Sequence, residues 1–281
     1  MSSCTYNILM YSHDTYGLGH IRRTMAIATH LLEKKVNILI VTGSPIVGRF
    51  MFPEGVDFVR VPGMIKKAND VYLPHSIKVN ARHAMHIRRK IITAAAQAFD
   101  PAMFIVDKVP LGLKREVEPT LKWLRKCRPQ TQTILGLRDI LDSADSTRNE
   151  WRDKDYFGAV ERYYSEIWVY GMKEMYNPVK EYAFPDSLRE KVQFTGYIPR
   201  PLPKAKHVRN YRRKRGLSKD DKHVVVTTGG GGDGYQVLDT FLSVLENYPG
   251  YPFKASIISG PFLSPSHYDS LFKRARALGV G

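Results

Sequence analysis

Cysteine is scarce in this sequence, and long apolar runs are missing. Only Cys4 and Cys127 occur in 281 residues, which excludes a disulfide framework or a cysteine-ligated metal site and fits a reducing cytoplasm. No run approaches the roughly 20 apolar residues of a membrane-spanning helix, and no basic-then-apolar targeting signal opens the chain. A soluble or peripheral protein is therefore expected.

Acidic residues are also few: 27 Asp and Glu stand against 43 Lys and Arg, for a net charge of +16. This excess indicates an anionic partner, whether a phosphate, an acidic membrane surface or a nucleic acid. The positive charge is concentrated at 82–90 (RHAMHIRRK) and at 204–215 (KAKHVRNYRRKR). No pattern of interleaved aromatic residues on which bases could stack is visible, and neither is a known nucleic-acid-binding motif. A nucleic acid is therefore disfavoured as the partner. An acidic membrane leaflet fits the same clusters, and so does a solvated helix face.

Apolar runs alternate with amphipathic segments along the first 198 residues. The predicted strands are Tyr6–Tyr11, Val36–Val41, Val56–Val61, Met103–Val106, Thr131–Leu137, Ile167–Tyr170 and Val192–Phe194. The predicted helices are 20–34, 76–99, 113–126, 146–165 and 172–182. Strands that alternate with helices predict a parallel sheet covered on both faces, so the expected fold class is α/β.

Prolines mark a change of organisation near residue 199. Pro199, Pro201 and Pro203 predict an extended, stiff connector. The alternation then restarts with a strand at 223–228, a helix at 234–247, a strand at 253–258 and a helix at 266–278. The expected organisation is an N-terminal Rossmann-like domain (1–198), a Pro-rich basic linker (199–222) and a C-terminal Rossmann-like domain (223–281). The last of these is expected to be incomplete, because two strands and two helices fall short of a usual domain.

The strand at 6–11 leads into a loop with Gly17 and Gly19, after which His20 opens a helix. A strand, a tight glycine turn and a helix N-terminus form the unit with which doubly wound proteins meet a ligand. The dinucleotide fingerprint G-x-G-x-x-G needs a third glycine, which this loop does not have. Dinucleotide binding is therefore disfavoured, and the two glycines are assigned to a ligand cleft of another kind.

His20 is the candidate general base of this cleft. The positive end of the helix dipole disfavours an imidazolium, and a neutral imidazole can accept the proton of an attacking hydroxyl. Asp107 and Asp139 follow predicted strands, at the sheet edge where such folds place their sites. Either aspartate could orient His20 through a hydrogen bond, or could instead cap the helix that follows that aspartate. A capping and packing role for His20 itself stays open.

The remaining candidates for this site come from the same loop and helix. They are His13 and Asp14 as rival bases, and Arg22 and Arg23 as ligands of a phosphate or as partners of acids.

A second glycine loop, TTGGGGDG at 227–234, lies between a β-branched run and a predicted helix. Backbone N–H groups in such a turn, with a helix N-terminus behind them, form a nest suited to a diphosphate. No Lys-Ser or Lys-Thr follows the glycines, so the loop is not a P-loop. Gly229, Gly230, Gly231 and Gly232 are therefore predicted to cradle phosphate.

Three stretches together resemble the two-domain GT-B glycosyltransferases: SHDTYGLGHIRR, GYIPRP and TTGGGGDG. The likeness is greatest to the branch that contains the lipid-linked N-acetylglucosaminyltransferase of peptidoglycan synthesis and the monogalactosyldiacylglycerol synthases. Within that branch, IVDKVPLGLKREV and LGLRDILDSADSTRNEW resemble a group of predicted bacterial glycosyltransferases.

The resemblance implies an N-terminal acceptor domain and a C-terminal domain for a nucleotide-sugar, usually UDP-linked, with no obligatory metal or other cofactor. The family's G-x-G-H histidine corresponds to His20, and its donor-phosphate loop corresponds to Gly229–Gly232. Its later His-Gly-Gly stretch and ribose-binding acid have no counterpart before Gly281. This again leads us to expect an incomplete second domain.

The expected function is transfer of a sugar from a nucleotide-sugar to an acceptor hydroxyl. The acceptor could be lipid-linked or part of the cell envelope, with the enzyme in the cytoplasm or on the inner face of the membrane. Two alternatives stay open: a nucleotide-sugar 2-epimerase on the same fold, and a truncated, non-catalytic binding protein.

Overall fold

A computed structural model describes residues 6–13, 18–68, 71–200 and 202–281, with the backbone alone for 66–68. The chain divides into two compact units, Met1–Pro199 and Arg200–Gly281. We describe each unit by itself.

The first unit alternates strands with helices. Its described strands are β1 (Tyr6–Ser12), β2 (Val36–Thr42), β3 (Val56–Arg60), β4 (Met64–Ala68), β5 (Val71–Pro74), β6 (Met103–Asp107), β7 (Gln132–Arg138), β8 (Glu166–Tyr170) and β9 (Val192–Phe194). Its described helices are α1 (Gly19–Leu31), α2 (Ala81–Phe99), α3 (Glu118–Cys127), α4 (Ala144–Asp153), α5 (Tyr156–Tyr163), α6 (Pro178–Glu181) and α7 (Asp186–Arg189).

Seven of these strands form one parallel sheet in the order β3-β2-β1-β6-β7-β8-β9. The chain builds outward from β1 to β3 on one side and then continues from β6 to β9 on the other. The order therefore reverses between β1 and β6, where Tyr11 lies opposite Val106. In open α/β sheets, ligands bind beyond the carboxyl ends of the strands at such a switch point.

The core lies on both faces of this sheet. Successive residues of a strand point to opposite faces, so Ile8 and Met10 pack with α1 while Leu9 and Tyr11 pack with the cluster that holds α2 and α3 residues. All four side chains are at most 2% exposed. Burial on both faces explains why β1 is a continuous apolar run and not an alternating one.

The seven strands of the sheet agree with the predicted strands to within one residue at each end, so the α/β fold class is confirmed. The antiparallel hairpin of β4 and β5 was not predicted. The helix predicted at 146–165 is two helices, because Asp155 between them has φ +52°. The helix predicted at 76–99 begins only at Ala81, after its cap Asn80, and that at 172–182 is reduced to α6.

The second unit contains α8 (Ala205–Lys214), β10 (His223–Thr227), α9 (Tyr235–Asn247), β11 (Lys254–Ile258) and α10 (Pro265–Ala277). Strands β10 and β11 pair in parallel, and Leu238 and Leu242 of α9 pack against Leu271 of α10. Residues 205–214 of the predicted linker are helical, so the prediction of an extended connector does not hold beyond Lys204. No proline lies between Pro203 and Lys214, and the Lys and Arg residues there are good helix formers.

Candidate functional site

The first unit places its ionisable cluster at the carboxyl edge of the sheet, at the switch point between β1 and β6. His13 follows the end of β1, and Asp107 is the last residue of β6. His20 is the second residue of α1. His13 and His20 therefore lie beside Asp107, which is 87 positions after His20 in the sequence, where the strand order reverses.

His20 and Asp107 form the centre of this cluster. The Nδ1 atom of His20 lies 2.5 Å from Oδ2 of Asp107, and the two side chains are 17% and 6% exposed. Arg23, one helical turn after His20, donates to the other carboxylate oxygen through Nη2 at 2.5 Å and Nε at 3.1 Å. The carboxylate thus holds His20 with one oxygen and Arg23 with the other.

The charge of Asp107 decides which nitrogen of His20 carries the proton. Burial by itself raises the pKa of this carboxyl, but the hydrogen bond from His20 and the charge of Arg23 outweigh it and lower the pKa to about 2. An ionised carboxylate can only accept, so Nδ1 of His20 is the donor. In the neutral imidazole the lone pair is then on Nε2, the state that a general base needs.

Arg23 is held from its other side by an aromatic ring. Its guanidinium carbon lies 5.9 Å from the ring centroid of Tyr170, the last residue of β8. Gly136 on β7 leaves the space that this ring occupies, because a Cβ at 136 would collide with the Tyr170 hydroxyl. The glycine therefore has a packing role, on a strand two places from β1 in the sheet.

A second chain of hydrogen bonds fixes His13. Arg88 and Glu116, both with fully buried side chains, form a bidentate ion pair at 2.5 and 2.6 Å. The hydroxyl of Tyr11 donates to Glu116 at 2.6 Å and accepts from the backbone N–H of Leu113 at 3.2 Å. Because burial and Glu116 raise the pKa of Tyr11 well above 10, the hydroxyl keeps its proton.

The same hydroxyl lies 3.4 Å from Nδ1 of His13. Its one proton is already given to Glu116, so Nδ1 of His13 must donate and the lone pair of the ring must be on Nε2. Burial, and then the neighbouring His20, lower the pKa of His13 to about 3. His13 is therefore a neutral ring, and it meets His20 edge to face with the centroids 5.7 Å apart.

Both histidines line a cavity of about 560 Å³ within the first unit. Its wall includes Lys108 and the 3₁₀ turn Leu113–Arg115 from the segment after β6, together with Glu150, Lys154 and Tyr156. Within this segment Lys108, Gly112, Lys114 and Arg115 all have positive φ. Non-glycine residues in this conformation are strained and cluster at functional sites.

The other predicted residues of the first site have different positions. Asp139 does not meet His20: its Oδ2 accepts from Tyr197 at 2.9 Å and its Oδ1 accepts from the N–H of Ile140. Arg22 is exposed, and Arg23 makes the contact with Asp107. A Cβ at Gly19 would meet nothing within 4 Å among the described residues, so no packing requires this glycine. Asp14 and Gly17 lie outside the described residues.

The second glycine loop connects β10 to α9. Gly229 and Gly231 have φ of +63° and +87°, and Gly231 is buried against the backbone of Ser259. The N–H of Gly231 donates to Thr228 at 3.2 Å, whereas those of Gly229, Gly230 and Gly232 donate to no described residue. Alternating left-handed residues with free N–H groups are the geometry of an anion nest.

Two features of the site were not predicted from the sequence: Lys108, and the buried chain of Arg88, Glu116 and Tyr11. A signal for Arg88 existed: Ala84, Arg88, Ile92 and Ala96 are spaced by four and form the buried stripe of α2. The basic cluster 82–90 is therefore partly a core element, although Arg82, His83, His86 and Lys90 are exposed. For Lys108 the only signal in the sequence was its position directly after Asp107, the last residue of β6.

No protein-family model matches the chain, and no curated protein matches it in sequence. Solved structures match its fold. A glycosyltransferase from Rickettsia africae ESF-5 has a TM-score of 0.54 at 10% identity, over 99% of this chain and 66% of that chain. Anabaena Alr3699/HepE, solved with UDP and glucose, has a TM-score of 0.52 at 11% identity, over 98% and 67%. Phytolacca americana UGT2, solved with UDP-2fluoro-glucose and pterostilbene, has a TM-score of 0.54 at 13% identity, over 98% and 71%.

The chain has the fold of these glycosyltransferases. The expected architecture of Rossmann-like α/β type is thereby confirmed, since the matches extend over nearly all of this chain. The chain spans about two thirds of the length of these structures. Among the described residues, no helix has the length and apolar character needed to cross a membrane.

Proposed function

We propose that this protein is a glycosyltransferase that moves a sugar from a UDP-linked donor to an acceptor hydroxyl, in the cavity at His20. The observation that carries the proposal is the 2.5 Å contact of His20 with Asp107 at the switch point of the parallel sheet. The shared fold of glycosyltransferases solved with UDP supports the nucleotide-sugar donor.

In the proposed reaction, Nε2 of His20 takes the proton of the acceptor hydroxyl. The oxygen attacks the anomeric carbon of the sugar, and the bond from that carbon to the nucleoside diphosphate breaks. Asp107 accepts from Nδ1 of His20, so it stabilises the imidazolium that forms and keeps the ring oriented. Arg23 keeps Asp107 ionised throughout.

The departing diphosphate is assigned to Gly229–Gly232. The free N–H groups of Gly229, Gly230 and Gly232, with the N-terminus of α9 behind them, would stabilise the negative charge that develops on it. The reaction as proposed uses only protein groups and the donor, with neither a metal nor another cofactor.

A lipid-linked acceptor is the finer part of the proposal. An apolar groove of about 420 Å³, lined by Met64, Leu73 and Met85, shares Tyr72 and Lys114 with the His20 cavity. Such a groove could hold an apolar chain whose polar end lies in the cavity. The acid-free helix α8, with Val208 and Tyr211 exposed at 41% and 45%, could bind an acidic leaflet. This would place the enzyme in the cytoplasm, at the inner face of the membrane.

Turnover of UDP-glucose tests the catalytic assignment. We expect His20→Ala to lower the rate of UDP release, including release to water, by about a hundredfold or more. His30→Ala is the matched control, because His30 lies on the same helix, is exposed and forms a hydrogen bond with the carbonyl of Pro199 and not with Asp107. If His20→Ala releases UDP at the wild-type rate, His20 is not the base.

Product analysis separates the alternatives. An epimerase would convert the sugar of the donor without any acceptor. Detection of an epimerised sugar that is still attached to UDP would therefore refute our proposal and identify an epimerase. A non-catalytic protein would release no UDP from any UDP-sugar. Absence of UDP binding at millimolar concentration would also count against the donor assignment.

Flotation with vesicles tests the membrane part separately. We expect binding to phosphatidylglycerol vesicles but not to phosphatidylcholine vesicles, with loss in Lys206→Glu/Arg209→Glu and in high salt. Lys122→Glu/Lys126→Glu on α3 controls for net charge alone. Equal binding by the α8 variant and by wild type would refute the assignment to α8.

A further inference from the structure

Lys108 has an unusual backbone for a residue beside the proposed base. It follows Asp107 directly and has φ +66°. The N–H of Val109 donates to the carbonyl of Asp107 at 2.8 Å, which closes a γ-turn centred on Lys108. A turn of this kind with positive φ is rare and strained, so the fold holds this lysine in place at a cost in stability.

The side chain of Lys108 is half-buried in the wall of the His20 cavity, yet it forms no ion pair or hydrogen bond with any described residue. The charged groups that most affect its pKa are Arg138, Asp107, Glu150 and Arg23. Burial, followed by the charge of Arg138, lowers the pKa of Lys108. A half-buried ammonium without a partner is unfavourable, and an anion bound beside it would remove that cost.

The other cations of the cavity wall are already engaged. Arg115 donates to Glu118 at 2.8 Å, and Lys154 lies 2.8 Å from Glu150. Lys114 lies 5.8 Å from the ring centroid of Tyr72. Among the described residues that line this cavity, Lys108 is thus the cation left for a ligand.

We propose that Lys108 binds an anionic group of the acceptor, a phosphate or a carboxylate, inside the cavity that His20 lines. This rests on the proposed function only in naming the acceptor as the source. Because Lys108 adjoins Asp107, the same segment orients the base and holds the molecule that the base deprotonates. The acceptor would therefore be an alcohol that also carries a negative charge.

Calorimetric titration with methyl phosphate and with acetate tests the subsite without turnover. We expect Lys108→Met to weaken the binding of the preferred anion about tenfold or more, and Lys108→Arg to retain most of it. Lys126→Met, exposed on α3, should bind like wild type. Unfolding curves of the three variants confirm that each is folded. Equal binding by wild type and Lys108→Met would overturn the proposal.

Labelling with an amine-reactive isothiocyanate locates the bound anion. We expect Lys108 to react at lower pH than Lys126, and methyl phosphate to protect Lys108 but not Lys126, as read by peptide mass spectrometry. If the anion protects other lysines and leaves Lys108 unprotected, it binds elsewhere and the proposal is wrong.

Titration with UDP separates this proposal from the proposed function. We expect Lys108→Met to bind UDP as wild type does. If it loses UDP and methyl phosphate together, Lys108 binds the donor and our assignment to the acceptor is wrong, while the transferase proposal survives. If wild type binds no UDP but still binds methyl phosphate through Lys108, the anion subsite stands and the transferase proposal fails.

Discussion

The two units present candidate ligand-binding groups of different kinds. In the first unit the groups are side chains, and each is fixed by a buried partner: His20 by Asp107, and His13 by Tyr11 and Glu116. In the second unit they are backbone N–H groups of a glycine loop, fixed by the packing of Gly231 on Ser259. The first arrangement depends on charge and therefore on pH. The second depends on backbone conformation and should respond to the size of a side chain instead.

Removal of one partner from the buried ion pair should have the largest effect on the first unit. Arg88→Met leaves the fully buried Glu116 without its cation, which should lower the free energy of unfolding by about 3–5 kcal/mol. Tryptophan fluorescence in urea measures this unit alone, because Trp123, Trp151 and Trp168 all belong to it. Arg125→Met, exposed on α3, should change the value by less than about 0.5 kcal/mol. Similar losses in the two variants would mean that the pair has no special role.

The buried neutral His13 should make the first unit sensitive to mild acid. The unfolded chain binds a proton at His13 below its ordinary pKa of 6.5, whereas the folded protein does so only near its lowered pKa of about 3. Stability should therefore fall as the pH falls through this window, by at most about 1.4 kcal/mol per pH unit and by about 2.5 kcal/mol from pH 6 to pH 4. Urea unfolding across this range measures the slope.

His13→Gln is the variant that tests the source of this slope. It should unfold with nearly the same free energy at pH 6 and pH 4, while His86→Gln, exposed on α2, should keep the wild-type slope. A slope that persists unchanged in His13→Gln would assign the acid sensitivity to another group.

The elements of the first unit differ in how well the sequence predicts them. The sheet was predictable strand by strand, because strands buried on both faces are continuous apolar runs. The position of Asp107 at the carboxyl edge of the sheet was predictable, because parallel strands bring their carboxyl ends to one edge. The hairpin of β4 and β5 was not, because lysines interrupt its apolar pattern at Lys66 and Lys67.

Neighbouring residues on a helix could not be told apart by type. Arg22 and Arg23 are chemically identical, but only the residue three positions after His20 shares its face, and Arg23 makes the contact with Asp107. Arg88 has the spacing of the buried stripe of α2, but a charged residue is expected outside the core unless its partner is known, and its partner Glu116 lies 28 positions away in the sequence. The position of the Lys108 side chain is set by a γ-turn that the residue types around it do not predict.

Ionisation of Asp107 should change the free energy of unfolding by less than that of His13 does, and at lower pH. Its pKa falls from 3.8 to about 2 on folding, so its contribution is complete above pH 4 and is lost as the pH falls through 2. The contribution is about 2 kcal/mol. Asp107→Asn should be less stable than wild type by about this amount at pH 5, and the two should converge near pH 2. Asp145→Asn, with a side chain 89% exposed, should match wild type throughout; a constant gap for Asp107→Asn at all pH values would show that ionisation is not the cause.

Two glycine substitutions examine the second unit, and the first of them should have the smallest effect. At Gly229 an added Cβ meets nothing within 4 Å, so Gly229→Ala should cost only the strain of φ +63°, about 1 kcal/mol. At Gly231 the Cβ would collide with the backbone carbonyl of Ser259, so Gly231→Ala should cost about 1–3 kcal/mol more, the penalty of overpacking a core. Hydrogen exchange of β10 and β11 measures both, because this unit has no tryptophan. Neither cost should change between pH 6 and pH 4. A pH-dependent loss of stability would show that charged groups also stabilise this loop. The two units would then not differ in their dependence on charge.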